Sequence, residues 1–212
     1  MAEIVLAGPE GRIEAKYHKS YKKDAPVALV LHPHPLHGGT MNNKVTYTTC
    51  QAFIQSGFNV LRFNFRGVGM SQGSFDNGEG ELSDAACALD WLQAENKNAE
   101  SFWISGFSFG AWIAMQLLMR RPELAGFISV SPPANMYDFN FLAPCPVSGL
   151  MIQGTSDEIV PLEAVDKLAT KLSNQKNIDV SFKKIEGADH FFTGKLNVLL
   201  STVRNYLEKN VS

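Results

Sequence analysis

Cysteine is scarce in this chain: three in 212 residues, Cys50, Cys87 and Cys145, odd in number and in no C-x-x-C arrangement. That argues against a disulfide framework and a cysteine zinc site, and it fits a reducing cytoplasm. Charge of either sign is also thin. With 19 Lys and Arg against 21 Asp and Glu, the formal net charge is −2, and no cluster of cations offers a field for nucleic acid or an anionic membrane surface. The Lys22-Lys23 and Lys183-Lys184 pairs read as solvated faces. No apolar run approaches the length of a membrane span. The start, Met1-Ala2-Glu3-Ile4-Val5-Leu6, has no basic region leading into an apolar core, so neither a membrane partner nor a secretory signal is expected. Repeats and low-complexity tracts are missing as well.

At 45% hydrophobic and 19% charged residues, the chain suffices for one sizeable core and is too short for two full domains with a linker. Residues 1–212 are therefore expected to form a single domain. Short strands at 3–7 and 11–18 flank Gly8-Pro9-Glu10-Gly11, which has hairpin-turn composition. Pro26 to Leu31 is a continuous apolar run, as a strand buried on both faces of a parallel sheet requires. After it, helices over about 41–56, 79–96, 111–119, 162–171 and 194–209 alternate with strands at 58–63, 101–105, 124–130, 147–154 and 178–185. The alternation predicts an α/β fold, a mostly parallel sheet with helices on both faces and a short antiparallel start.

Within this pattern, Ser101 to Gly110 reads as strand, tight turn and helix with Ser108 at the apex of Gly106-Phe107-Ser108-Phe109-Gly110. A serine held on so sharp a turn sits in a strained conformation, and side chains in place of the two glycines would collide with the neighbouring strand and helix. The spacing is that of a nucleophile elbow.

Ligands of such sheets bind beyond the carboxyl ends of the strands. Ser108, Asp157 and His190 all lie on loops leaving strands, in the chain order nucleophile, acid, histidine. A serine hydroxyl is a poor nucleophile until a neutral imidazole takes its proton, the role assigned to His190; the imidazole needs a carboxylate on its other nitrogen, the role assigned to Asp157. Glu158 is the competing acid, although adjacent side chains point apart. Asp189 reads as a loop-capping residue. The general base must be neutral, so kcat/KM is expected to rise with pH through an apparent pKa near that of histidine, about 6–7.

An oxyanion intermediate needs two backbone N–H donors. One is expected from Phe109, just after the nucleophile; the other from the His32-Pro33-His34-Pro35-Leu36-His37 loop, where the prolines carry no N–H and His34 or Leu36 remains. His32, His34 and His37 also resemble a metal cluster in composition, but the intervening prolines and the lack of a supporting carboxylate or cysteine speak against a metal. The Gly67-Val68-Gly69 loop completes no dinucleotide fingerprint and reads as a packing turn tethered by Arg66. Trp91, Trp103 and Trp112 read as core or subsurface residues, and Phe107 acquires no role at this level.

Taken together, LHPHPLHGGTMNNKV, FNFRGVGMSQG, GFSFGA, GTSDEIVP and GADHFF resemble the α/β-hydrolase superfamily over nearly the whole chain, and within it the small lidless bacterial serine hydrolases near the dienelactone hydrolases. The resemblance implies an α/β-hydrolase fold with an eight-stranded sheet, a serine triad on Ser108, Asp157 and His190, no cofactor, and hydrolysis of a small acyl substrate, an ester or thioester. A small-substrate peptidase or amidase, and a non-catalytic binding module, are the alternatives. Dienelactone hydrolases carry a cysteine nucleophile where this chain has serine, so their lactone substrate does not transfer. Between Pro133 and Val147 there is no room for a helical cap domain, which implies an open, shallow site suited to small or flexible acyl groups.

Overall fold

Val27–Leu31 (β3) is buried at all five positions, with Val27, Leu29 and Leu31 feeding one apolar core and Ala28 and Val30 the other. That alternation makes β3 a central strand with helices on both sides. A computed structural model, describing residues 1–211, supplies the rest of the sheet around it.

Ala2–Gly8 (β1) and Gly11–His18 (β2) form the expected hairpin, closed through Gly11 at φ 112°, a conformation that favours glycine. Asn59–Phe63 (β4), Phe102–Phe107 (β5), Leu124–Val130 (β6), Gly149–Gly154 (β7) and Val180–Ile185 (β8) complete an eight-stranded sheet in the order β1-β2-β4-β3-β5-β6-β7-β8. β2 is antiparallel to both its neighbours and runs against all the others. This is the α/β-hydrolase arrangement, mostly parallel with an antiparallel start.

Lys44–Gln55 (α1) and Leu196–Asn210 (α5) cover one face; Glu79–Glu95 (α2), Phe109–Leu118 (α3) and Leu162–Ser173 (α4) cover the other. The sequence pattern starts α1 at about Met41. In the fold it starts at Lys44, because the Asn43 carboxamide oxygen accepts from the N–H groups of Val45 and Thr46 and caps the helix there. Arg66 does tether its loop: its guanidinium is held by Asp84 of α2 at 2.8 Å, and its own N–H donates to the same carboxylate at 3.0 Å. Between β6 and β7 the chain forms only a three-residue 3-10 turn, Asn140–Leu142, so no cap covers the carboxyl ends of the strands. Among the described residues no helix is long and apolar enough to cross a membrane.

Candidate active site

The turn from β5 into α3 is built as its glycines demand. Ser108 has φ 54° and ψ −121°, a region L-residues rarely occupy, and its N–H donates to the Val130 carbonyl of β6 at 2.9 Å. A Cβ on Gly106 would run into the backbone of Gly110, and one on Gly110 into the carbonyls of Leu31, at the end of β3, and of His32 just after it. The elbow therefore needs both glycines to keep α3 against the sheet.

His190 lies in the loop after β8, where the Asp189 carboxylate accepts from the N–H groups of Phe191 and Thr193 at 3.1 and 2.8 Å. Its Nε2 is 3.1 Å from Ser108 Oγ and its Nδ1 2.8 Å from Asp157 Oδ2. The fold thus brings together three side chains from three strand exits, up to 82 positions apart. Asp157 is fixed on all sides: Oδ1 accepts from the N–H groups of Ile159 and Val160, and Oδ2 from Gln153 Nε2 as well as from His190. Burial by itself would raise the carboxyl pKa, but the hydrogen bonds from His190 and Val160, the charge of His190 and the bond from Gln153 hold it below the ordinary aspartate value. With the His190 proton on Nδ1 facing the carboxylate, Nε2 presents a lone pair to the Ser108 hydroxyl. Glu158 is exposed and makes no hydrogen bond to His190.

The His32–His37 loop is organised by its first histidine. Wholly buried, His32 donates from Nδ1 to the Pro33 carbonyl at 2.7 Å and accepts on Nε2 from the Phe65 N–H at 3.0 Å. Desolvation lowers its pKa to about 3, so it is neutral, and with both nitrogens engaged by backbone it has none to offer a metal. His34 stacks on His37 with centroids 4.3 Å apart, and its Nδ1 accepts from the Leu36 N–H at 3.2 Å. Burial, then the charge of His37, push the His34 pKa down. Of the expected donors, Leu36 has therefore committed its N–H, whereas among the described residues neither His34 nor Phe109 donates its own.

Ser108, Phe109, His34 and His190 share a cleft of about 360 Å³ at the carboxyl ends of the strands, with Met136, Ile159 and Phe191 exposed around it. A larger hollow of about 490 Å³ beside Tyr21 and Leu207 lies at the opposite end of the sheet and holds no comparable convergence. Two residues of the site were not legible beforehand. Phe107, 1% exposed, packs its ring on the His190 imidazole; Gln153, wholly buried, grips Asp157. Gln153 left one trace in the sequence, a carboxamide inside the otherwise apolar strand Leu150-Met151-Ile152-Gln153.

The same geometry has relatives. The X-Pro dipeptidyl-peptidase (S15 family) profile matches residues 17–184. An uncharacterized protein of Rickettsia prowazekii is 55% identical over 211 residues, 98% of this chain and 89% of that one. A crystal structure of a protein of unknown function from Agrobacterium tumefaciens superposes with a TM-score of 0.95 at 52% identity, covering 98% of this chain and 95% of that one. A serine hydrolase of the α/β fold from Xanthomonas campestris, described as without lid, gives a TM-score of 0.88 at 33% identity over 98% and 94% of the two chains.

Proposed function

Because the chain belongs to the X-Pro dipeptidyl-peptidase (S15) family and resembles a serine hydrolase of the α/β fold described as without lid, we propose that it cleaves small carboxylic esters or thioesters through an acyl-enzyme on Ser108. The observation that carries this reading is the unbroken line of short contacts from Ser108 Oγ through His190 to Asp157 at the floor of an uncapped cleft.

In the proposed reaction His190 Nε2 takes the hydroxyl proton as Ser108 Oγ attacks the acyl carbon. Asp157 stabilises the imidazolium, and the N–H groups of Phe109 and His34 receive the oxyanion. Collapse expels the alcohol or thiol, which leaves with the proton from Nε2; water then repeats the sequence to free the acid. The cleft lining supports neutral acyl groups. No Asp, Glu, Lys or Arg is among the described residues that line it, so nothing there matches the free α-amine of an N-terminal dipeptide or the charge of an anionic acyl group. The open rim supports small or flexible groups over long buried chains.

A fluorophosphonate probe and a series of p-nitrophenyl esters test this. The intact protein is expected to be labelled, Ser108→Ala not, and short esters to be turned over faster than long ones and far faster than X-Pro anilides. An intact protein that takes no label would point to a binding module instead, and preference for the anilides would make it a peptidase.

A further inference from the structure

Gln153 occupies the second-to-last position of β7 with no solvent exposure, in a strand whose other residues are apolar or glycine. Its carboxamide nitrogen donates in two directions, to Asp157 Oδ2 at 2.9 Å and to the Val160 carbonyl at 2.7 Å. Both neighbours are acceptors, so the NH2 group must face them and the amide has only one orientation. The consequence is an orphan: Gln153 Oε1 is buried with no hydrogen-bond partner. A residue present only to fill the core would be Leu or Met and would leave no unsatisfied oxygen there. What the position retains is the pair of donors.

Those donors close a small circuit. Asp157 Oδ1 accepts from the Ile159 and Val160 N–H groups, the Val160 carbonyl is returned to Gln153, and Gln153 holds Oδ2. The loop from β7 to α4 is thereby tied to the strand that precedes it, and the carboxylate cannot rotate without breaking bonds on both oxygens. Oδ2 is also the oxygen that accepts from His190 Nδ1.

We infer that Gln153 is a positioning residue: it locks Asp157 in the orientation that serves His190 and, by sharing Oδ2, restrains how strongly the carboxylate holds the imidazolium. This rests on the triad reading above. Removing the amide leaves Oδ2 to His190 alone, so the carboxylate becomes more basic toward it and the imidazolium gains stability. The other titratable groups near His190 are Asp189 beside it in the chain and His34, His37 and Tyr137 in the cleft wall, and none of them changes with Gln153.

The test uses the nearly isosteric Gln153→Met and needs no substrate for its main readout. NMR titration of the His190 ring is expected to show protonation at higher pH in Q153M than in the wild type, and the acid limb of kcat/KM to follow it, with kcat down by about 10- to 100-fold and KM little altered. In the wild type itself, the Gln153 side-chain amide resonances should shift with the midpoint of His190, because both share Oδ2. An unchanged His190 titration in folded Q153M, or Gln153 amide protons blind to that titration, overturns the assignment even if the protein is an active esterase. Absence of fluorophosphonate labelling with these couplings intact would instead sink the hydrolase reading and leave Gln153 as the partner of Asp157.

Discussion

The Phe107 ring lies against the His190 imidazole, centroids 4.9 Å apart and planes inclined by 39°, while Phe191 meets the same histidine edge-on at 5.2 Å. Phe107 is the last residue of β5 and cannot move without the sheet, so the histidine that faces Ser108 rests on a rigid aromatic floor. A loop histidine held this way keeps its ring aimed with little loss of freedom on reaching the transition state.

Replacing that floor by Phe107→Leu should lower kcat toward short acyl esters by about tenfold, with a stability loss of only about 1–2 kcal/mol, since most of the buried volume remains. Steady-state kinetics beside thermal denaturation check it. Undiminished kcat with a lowered Tm would reduce Phe107 to a core filler.

Ser108 stores strain in its positive φ. Both Ser108→Ala and Ser108→Gly remove the hydroxyl, yet only glycine is at ease at φ 54° and ψ −121°, so the glycine variant should be the more stable of the two by about 1 kcal/mol. Urea midpoints of the two variants decide it, and equal midpoints would mean that the elbow is unstrained.

The proposed second oxyanion donor can be tested by exchanging single backbone amides for esters, which deletes one N–H at a time. An ester at His34 is expected to depress kcat by about 10²-fold or more, and one at Leu36, whose N–H is already taken by His34 Nδ1, only by a small factor. A larger loss at Leu36 than at His34 would reverse the assignment.

His32 couples the fold to pH. Unfolded, its imidazole binds a proton near pH 6.5; folded, only near 3, so between these values the unfolded state holds the extra proton. The stability tied to neutral His32 is complete above about pH 6.5 and is lost as the pH falls, at a slope of up to about 1.4 kcal/mol per pH unit. Asp157, with its pKa depressed, acts lower down: its contribution is present above about pH 4 and disappears as the pH drops toward its native value. Urea unfolding between pH 7 and 4 should therefore show a shallower loss in His32→Gln than in the wild type, and parallel curves would refute the role of His32.

Much of the architecture was legible because it is written in local periodicity. The run Val27–Leu31 has the length and β-branched content of a strand buried on both faces, and the longer apolar run after Gly110, closed by Arg120, Arg121 and Pro122, reads as a helix packed on the sheet. Boundaries were less so: α1 begins three residues late because the Asn43 side chain, not the apolar pattern, decides where it starts. The Gly-x-Ser-x-Gly spacing and the order of Asp157 and His190 behind it are likewise linear facts, and they sufficed to nominate the residues that the fold brings within 3.1 Å of one another.

What only the tertiary structure decided are relations between loops distant in the chain. No periodicity says that the His34 ring turns back to occupy the Leu36 N–H, that Phe107 meets a histidine 83 positions later, or that Gln153 aims both amide protons at the carboxylate loop. Strand and helix follow from the backbone's own hydrogen bonding and the burial of one face, which the sequence carries within a few residues. The aim of a side chain depends on which neighbours crowd it and which polar groups are left without water, and those are known only when the sheet has brought the strand exits together.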